Sequence, residues 1–124
     1  MKIKASAIIH NKLGYILLQL RDEEPEKGKW VLFGGSVEEN ETEEEAVRRE
    51  IKEELCYDIK KLRFFRRYNF GDVEQPIWIV EEPVTLNDLT LKEGAGMRFF
   101  KPEEIPSLDI GFNYKGIILD YLNS

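Results

Sequence analysis

Apolar positions along this chain recur in short runs, and the period changes once, near the middle. Residues 3–10 and 15–20 are apolar enough for strands, and Asn11-Lys12-Leu13-Gly14 between them supplies a turn, so the pair reads as a hairpin. Residues 22–29 are charged and broken by Pro25 and Gly28, which marks a loop. Trp30 to Phe33 is a short apolar strand ending at Gly34-Gly35, followed by a second loop to Glu41. At 42–55 the spacing becomes helical. Val47, Ile51 and Leu55 stack at i, i+4 and i+8 as the buried stripe. Thr42 with Glu45 three residues on forms a capping box, and Glu43, Glu44 and Glu45 sit where the helix dipole favours negative charge. Strands follow at 61–70 and 76–82, joined around Gly71-Asp72, and again at 97–101. Pro102 to Ile105 makes a short helical turn. Ile117, Ile118, Tyr121 and Leu122 give 112–122 the spacing of a packing helix. Strands with one central and one terminal helix predict an α+β fold, a mixed central sheet sandwiched between helices.

The central helix has more to say than its stripe. With Glu50 at zero on a wheel of ~100° per residue, the stripe centres near ~100°, Glu54 falls at about 40° and Glu53 at about 300°. Glu50, Glu53 and Glu54 therefore form one patch, and Glu54 lies at the stripe's edge rather than opposite it. Like charges one turn apart cost a helix a few tenths of a kcal/mol, so a cation should offset them. Arg49 is one candidate and a hard divalent ion is another. The plain alternative is a solvated acidic face, the common condition of a surface helix.

Composition narrows the class. The chain has 124 residues, 42% apolar and 34% charged, which suits one folded domain over 1–124 rather than two or a disordered chain. No apolar run reaches the ~20 residues of a membrane helix. The start, MKIKASAIIH, is expected to be a strand and not a signal peptide. Cys56 is the one cysteine, so no internal disulfide forms, and a cytoplasmic location is expected. The net charge of −6 argues against stable nucleic-acid binding, which needs a basic footprint. Thirteen of the 24 acids lie between Asp22 and Glu54. That concentration is compatible with a phosphorylated small molecule held through a metal ion.

The longer spacing gives the acids a pattern. Gly35, Glu41 after five residues, then Arg49-Glu50-Ile51-Lys52-Glu53-Glu54 after seven more resembles the Nudix signature, GX5EX7REUXEEXGU, over 35–57. The flank Trp30-Val31-Leu32-Phe33-Gly34-Gly35 resembles the strand and glycine turn that enter this box. The pattern departs from the family where Cys56 replaces the last glycine, a position at which the chain commonly leaves the helix through a left-handed residue. Phe33 and Asn40 also differ from the family's usual proline and glycine. No charged position is missing.

The resemblance to MutT-like Nudix hydrolases implies an alpha/beta/alpha sandwich and hydrolysis of a nucleoside diphosphate linked to another moiety, with Mg²⁺ or Mn²⁺ as cofactor. It implies Gly34, Glu50, Glu53 and Glu54 as metal contacts, Glu53 as ligand or base, and Arg49 as the residue that orients Glu50. Glu41 would support the loop–helix geometry. Glu93, before Gly94-Ala95-Gly96, is a second candidate base beside a loop-charge reading, and Glu38 a weaker one. Arg21, at the end of its strand, is the candidate phosphate contact. His10 reads as structural, and Arg63, Arg66 and Arg67 as solvated strand residues. Trp30, Phe64, Phe65, Tyr68, Phe70 and Trp78 read mostly as core or strand residues, with stacking of one or two on a base left open. A nucleoside triphosphate cleaved to monophosphate and pyrophosphate is the first substrate to expect, and family habit suggests a homodimer. Two other classes stay open: a Nudix-fold ligand-binding module without turnover, and a small structural domain with an acidic helix.

Overall fold

The computed structural model describes residues 2–124, so Met1 of the amino-terminal strand lies outside it. Among the described residues seven strands make two sheets. The first runs β4 (Phe33–Ser36), β1 (Lys2–Ile8), β6 (Val73–Val80), β5 (Leu62–Phe70). Within it β1 and β6 are parallel and the other pairs antiparallel, so the sheet is mixed as expected. The second is antiparallel, in the order β3 (Trp30–Val31), β2 (Ile16–Leu20), β7 (Gly96–Phe100). Helix α1 (Glu43–Leu55) and helix α2 (Tyr114–Leu122) belong to two separate cores. Alternation along β1 shows how: Ala5, Ala7 and Ile9 pack with Val47, Ile51 and Leu55 of α1, while Ile8 packs with Ile117 and Ile118 of α2.

Two expected strand relations differ. Residues 3–10 and 15–20 do not form a regular hairpin. The turn exists, with Asn11 Oδ1 accepting from the Leu13 and Tyr15 N–H groups, but β1 and β2 enter different sheets. Past the end of β1, the His10–Ile16 bridge and the Leu17 N–H to Ile9 carbonyl bond of 2.9 Å join the two runs, with the Asn11 N–H to Tyr15 carbonyl bond of 3.1 Å at the turn. The reason is that β1 is central in its sheet, with β4 and β6 occupying both its edges. The run 30–33 likewise splits at Leu32, β3 pairing with β2 and β4 with β1. Gly34 and Gly35 thus lie inside β4 rather than after it.

Helix α1 begins as its sequence dictates. The Thr42 hydroxyl accepts the Glu45 N–H at 3.1 Å and the Glu45 carboxylate accepts the Thr42 N–H at 2.8 Å. It ends on Cys56 at φ 55° and ψ 33°, so the left-handed exit survives without its glycine. A side chain there costs about 1 kcal/mol. Cys56→Gly should therefore raise the unfolding free energy by about that much in urea titrations. An unchanged midpoint would mean that the cysteine side chain makes up the difference.

Candidate active site

The acidic residues of α1 are sorted by an arginine. Arg49 grips Glu41 with two hydrogen bonds, Nε to Oε2 at 2.7 Å and Nη2 to Oε1 at 3.1 Å. Its Nη1 donates to Glu50 at 2.9 Å and reaches Glu53 at 3.3 Å, and Nη2 donates to the Ser36 carbonyl at 3.0 Å. One guanidinium thus ties the loop before α1, the end of β4 and two helix carboxylates together, using the planar fork that lysine lacks. Glu50 is further shaped by Gly35. A Cβ on Gly35 would overlap the Glu50 carboxyl carbon and oxygens, so the carboxylate lies directly on the bare backbone. Gly34, at φ 154°, has its own requirement, since a Cβ there would run into Ala5 and Ser6 of β1.

Glu54 faces the other way. It is buried, at 4% exposure, and its Oε2 has no hydrogen-bond partner. Burial first, then the Glu50 and Glu93 charges, push its carboxyl from 4.5 up to about 8, with Gln19 and the Gly34 N–H opposing. Burial also raises Glu50, against the pull of Arg49. Glu93 reaches this neighbourhood through backbone bonds: Lys92 N–H donates to the Glu54 carbonyl at 2.8 Å, Thr90 N–H to the Leu55 carbonyl at 2.9 Å and Ala95 N–H to the Leu20 carbonyl at 2.9 Å. The Glu93 segment is therefore pinned between the end of α1 and β2.

Glu54 and Glu93 share a cleft of about 580 Å³ with Gly34, Gly35, Arg21 and Lys4. Glu53 is not on its wall and is 56% exposed. Among the described residues no three His, Cys, Asp or Glu side chains are gathered closely enough to hold a metal ion, and Glu50 and Glu53 are both bonded to Arg49. The donors nonetheless suit a hard divalent ion. All are oxygens, the Glu54 Oε2 is buried without a partner, and the Glu50, Glu54 and Glu93 charges oppose one another.

A titration follows. Glu54 holds its proton in the folded chain up to about pH 8, while the unfolded chain releases it near 4.5. The folded state then binds more protons across that interval, so stability falls as pH rises through it. Thermal melts in EDTA should show a falling midpoint from about pH 5 to pH 8, with a flatter slope in Glu54→Gln. Equal slopes in the two proteins would contradict the assignment.

A NUDIX domain model matches residues 2–121 of the chain. The chain belongs to the NUDIX domain family. An uncharacterized Nudix hydrolase of Listeria monocytogenes is 35% identical over 107 residues, covering 81% of this chain. The NUDIX chain spans only 63% of that relative's length. The nucleoside triphosphatase NudI of Escherichia coli is 47% identical over 49 residues, 39% of this chain and 35% of NudI. Among solved structures, a MutT NUDIX hydrolase from Burkholderia pseudomallei superposes with a TM-score of 0.72 at 27% identity, covering 80% of this chain and 81% of that one. The NUDIX domain of Shewanella oneidensis NrtR, complexed with ADP ribose, gives 0.83 at 14% identity over 98% of this chain and 86% of that one, a likeness of fold.

Within this NUDIX fold the other polar residues separate cleanly. His10 bridges the Asn11 and Glu81 carbonyls at 3.2 Å each, a structural position. Arg63 pairs with Glu81, Arg66 with Asp120, and Arg67 with Glu43 and Glu74, so these arginines are ion-paired rather than simply solvated. Arg21 lies in the cleft, with Nε donating to the Pro25 carbonyl at 2.6 Å. Lys4, Gln19 and Phe112 were not singled out from the sequence. A signal existed for Lys4, since Lys2, Lys4 and Ser6 alternate along β1, and Lys2 and Lys4 line the cleft. Among the described residues no helix is long and apolar enough to cross a membrane.

Proposed function

We propose that this chain is a divalent-metal-dependent pyrophosphohydrolase acting on a nucleoside diphosphate linked to another moiety, with a nucleoside triphosphate cleaved to monophosphate and pyrophosphate as the leading case. One observation carries the reading: Glu54, whose buried Oε2 has no partner, lines a cleft shared with Glu93 and with the cations Lys4 and Arg21. The triphosphatase name of NudI supports the substrate class.

Glu50, Glu53, Glu54 and the Gly34 carbonyl would hold Mg²⁺ or Mn²⁺, which when bound neutralises phosphate charge and acidifies water. Arg49 positions Glu50 through the 2.9 Å bond and is itself fixed by Glu41. Glu93, on the cleft wall, is the base. Water forms a bond to phosphorus, the anhydride P–O bond breaks, and the water proton passes to Glu93. Arg21 contacts phosphate. A cytoplasmic setting belongs to the same reading.

The test is a panel of nucleoside triphosphates, sugar nucleotides and dinucleoside polyphosphates with Mg²⁺ or Mn²⁺, products resolved by chromatography. Turnover of at least one substrate that stops in EDTA supports the proposal. A second reading, a ligand-binding module without turnover, draws on the absence of three gathered metal-ligating side chains among the described residues. Ligand binding with no product from any substrate would select it.

A further inference from the structure

The cleft keeps its charges apart rather than pairing them. Six of the seven arginines sit in ion pairs, and among the described residues Arg21 alone has none. Lys4 is half-buried and likewise has no carboxylate partner among the described residues. Both cations lie against one ring. The Lys4 Nζ is 5.1 Å and the Arg21 Cζ 5.4 Å from the Phe112 centroid. An aromatic face attracts each cation, but it does not cancel their mutual repulsion. Burial first, then Arg21 and Lys2, hold the Lys4 amine below its ordinary range, against the smaller pull of Glu54 and Glu50.

Phe112 is held for this position. It stands at φ 53°, a left-handed conformation that a bulky side chain rarely adopts and that surrounding structure must enforce. Phe70 and Tyr114 brace the ring edge-on at 5.9 and 5.7 Å. A half-buried lysine laid on an aromatic ring is often just packing. Here two cations without ion-pair partners among the described residues share the ring in a chain of net charge −6, while the same cleft leaves the Glu54 Oε2 without a partner. Nothing in the fold requires that separation, whereas a ligand with a cation-bound phosphate at one end and a free anion at the other satisfies both walls.

The geometry points to an anion subsite, formed by Lys4 and Arg21 against Phe112, that takes a phosphate beyond those gathered by the acidic face. The subsite favours triphosphates over diphosphates linked to a neutral group. That selectivity rests on the hydrolase reading, but anion binding by the subsite does not.

Inorganic tripolyphosphate is the probe, titrated calorimetrically into the whole chain in EDTA. The wild type should bind it, Lys4→Gln should weaken binding by about tenfold or more, and Lys4→Arg should keep it. In turnover with Mg²⁺, Lys4→Gln should lower the ratio of kcat/KM for a nucleoside triphosphate to that for a sugar nucleotide by a similar factor, through KM. Circular dichroism verifies folding, and Lys4→Met replaces Lys4→Gln if the latter misfolds. Absent tripolyphosphate binding, or equal binding by wild type and the lysine-free variant, overturns the subsite. Lys4-dependent binding with no hydrolysis of any substrate overturns the hydrolase reading and leaves the subsite standing.

Discussion

Glu54→Gln is expected to lower kcat by about a thousandfold while making the metal-free chain harder to unfold above neutral pH. The first effect follows from losing one anionic ligand of the cation. Charge stabilisation by a bound ion amounts to several kcal/mol, and each ~1.4 kcal/mol is a factor of ten. The second effect has the opposite sign because the carboxylate is a burden on the empty fold. Its Oε2 is buried without a partner, and the Glu50 and Glu93 charges add to the cost of ionising it. Glutamine keeps the shape and removes the charge. Steady-state rates with Mg²⁺ and thermal melts in EDTA near pH 8 test the two halves. A variant that loses activity without gaining stability would place Glu54 in an ordinary polar site. One that gains stability and keeps activity would remove it from the chemistry.

Gly35→Ala is expected to lower kcat by about a hundredfold without unfolding α1. Gly35 is not in the left-handed region, so alanine fits its backbone. The difficulty is steric: the new methyl would overlap the Glu50 carboxyl group, whose Oε2 lies 2.6 Å from the Cβ position. Glu50 cannot move without loosening the 2.9 Å bond from Arg49, which also holds Glu41, Glu53 and the Ser36 carbonyl. A displacement of about 1 Å at a positioned group is enough for a loss of about that size. Gly96→Ala serves as the control, because no atom lies within 4 Å of its Cβ position and its φ is not positive. Equal activity of both variants would show that Glu50 accommodates the methyl.

The features legible in the sequence are those set by local periodicity or by a spaced motif. The helix wheel placed Glu54 at the edge of the apolar stripe, and Glu54 is indeed buried beside Val47, Ile51 and Leu55 while Glu53 stays exposed. Thr42 and Glu45 close the capping box that their spacing predicts. The resemblance to the family named the fold and the neighbourhood of Arg49 and Glu50. What escaped were relations between distant segments. Which edge of β1 accepts a partner depends on strands up to seventy residues away, and so the expected hairpin dissolved into two sheets. The cationic wall joins Lys4, Arg21 and Phe112 from three segments, and no window of sequence holds all three. Phe112 gave no warning either, because its left-handed backbone goes with ring contacts to Phe70, some forty residues earlier, and to Tyr114.

Metal-dependent cleavage of a phosphoric anhydride leaves products that can be counted. It is tested most directly by following a nucleoside triphosphate through chromatography as Mg²⁺ is titrated from zero, for the wild type and Glu54→Gln side by side. The wild type should give monophosphate and pyrophosphate at rates that rise with Mg²⁺ and vanish in EDTA, and the variant about a thousandfold less. Cleavage that persists in EDTA, or equal rates from the two proteins at every Mg²⁺ concentration, would contradict it.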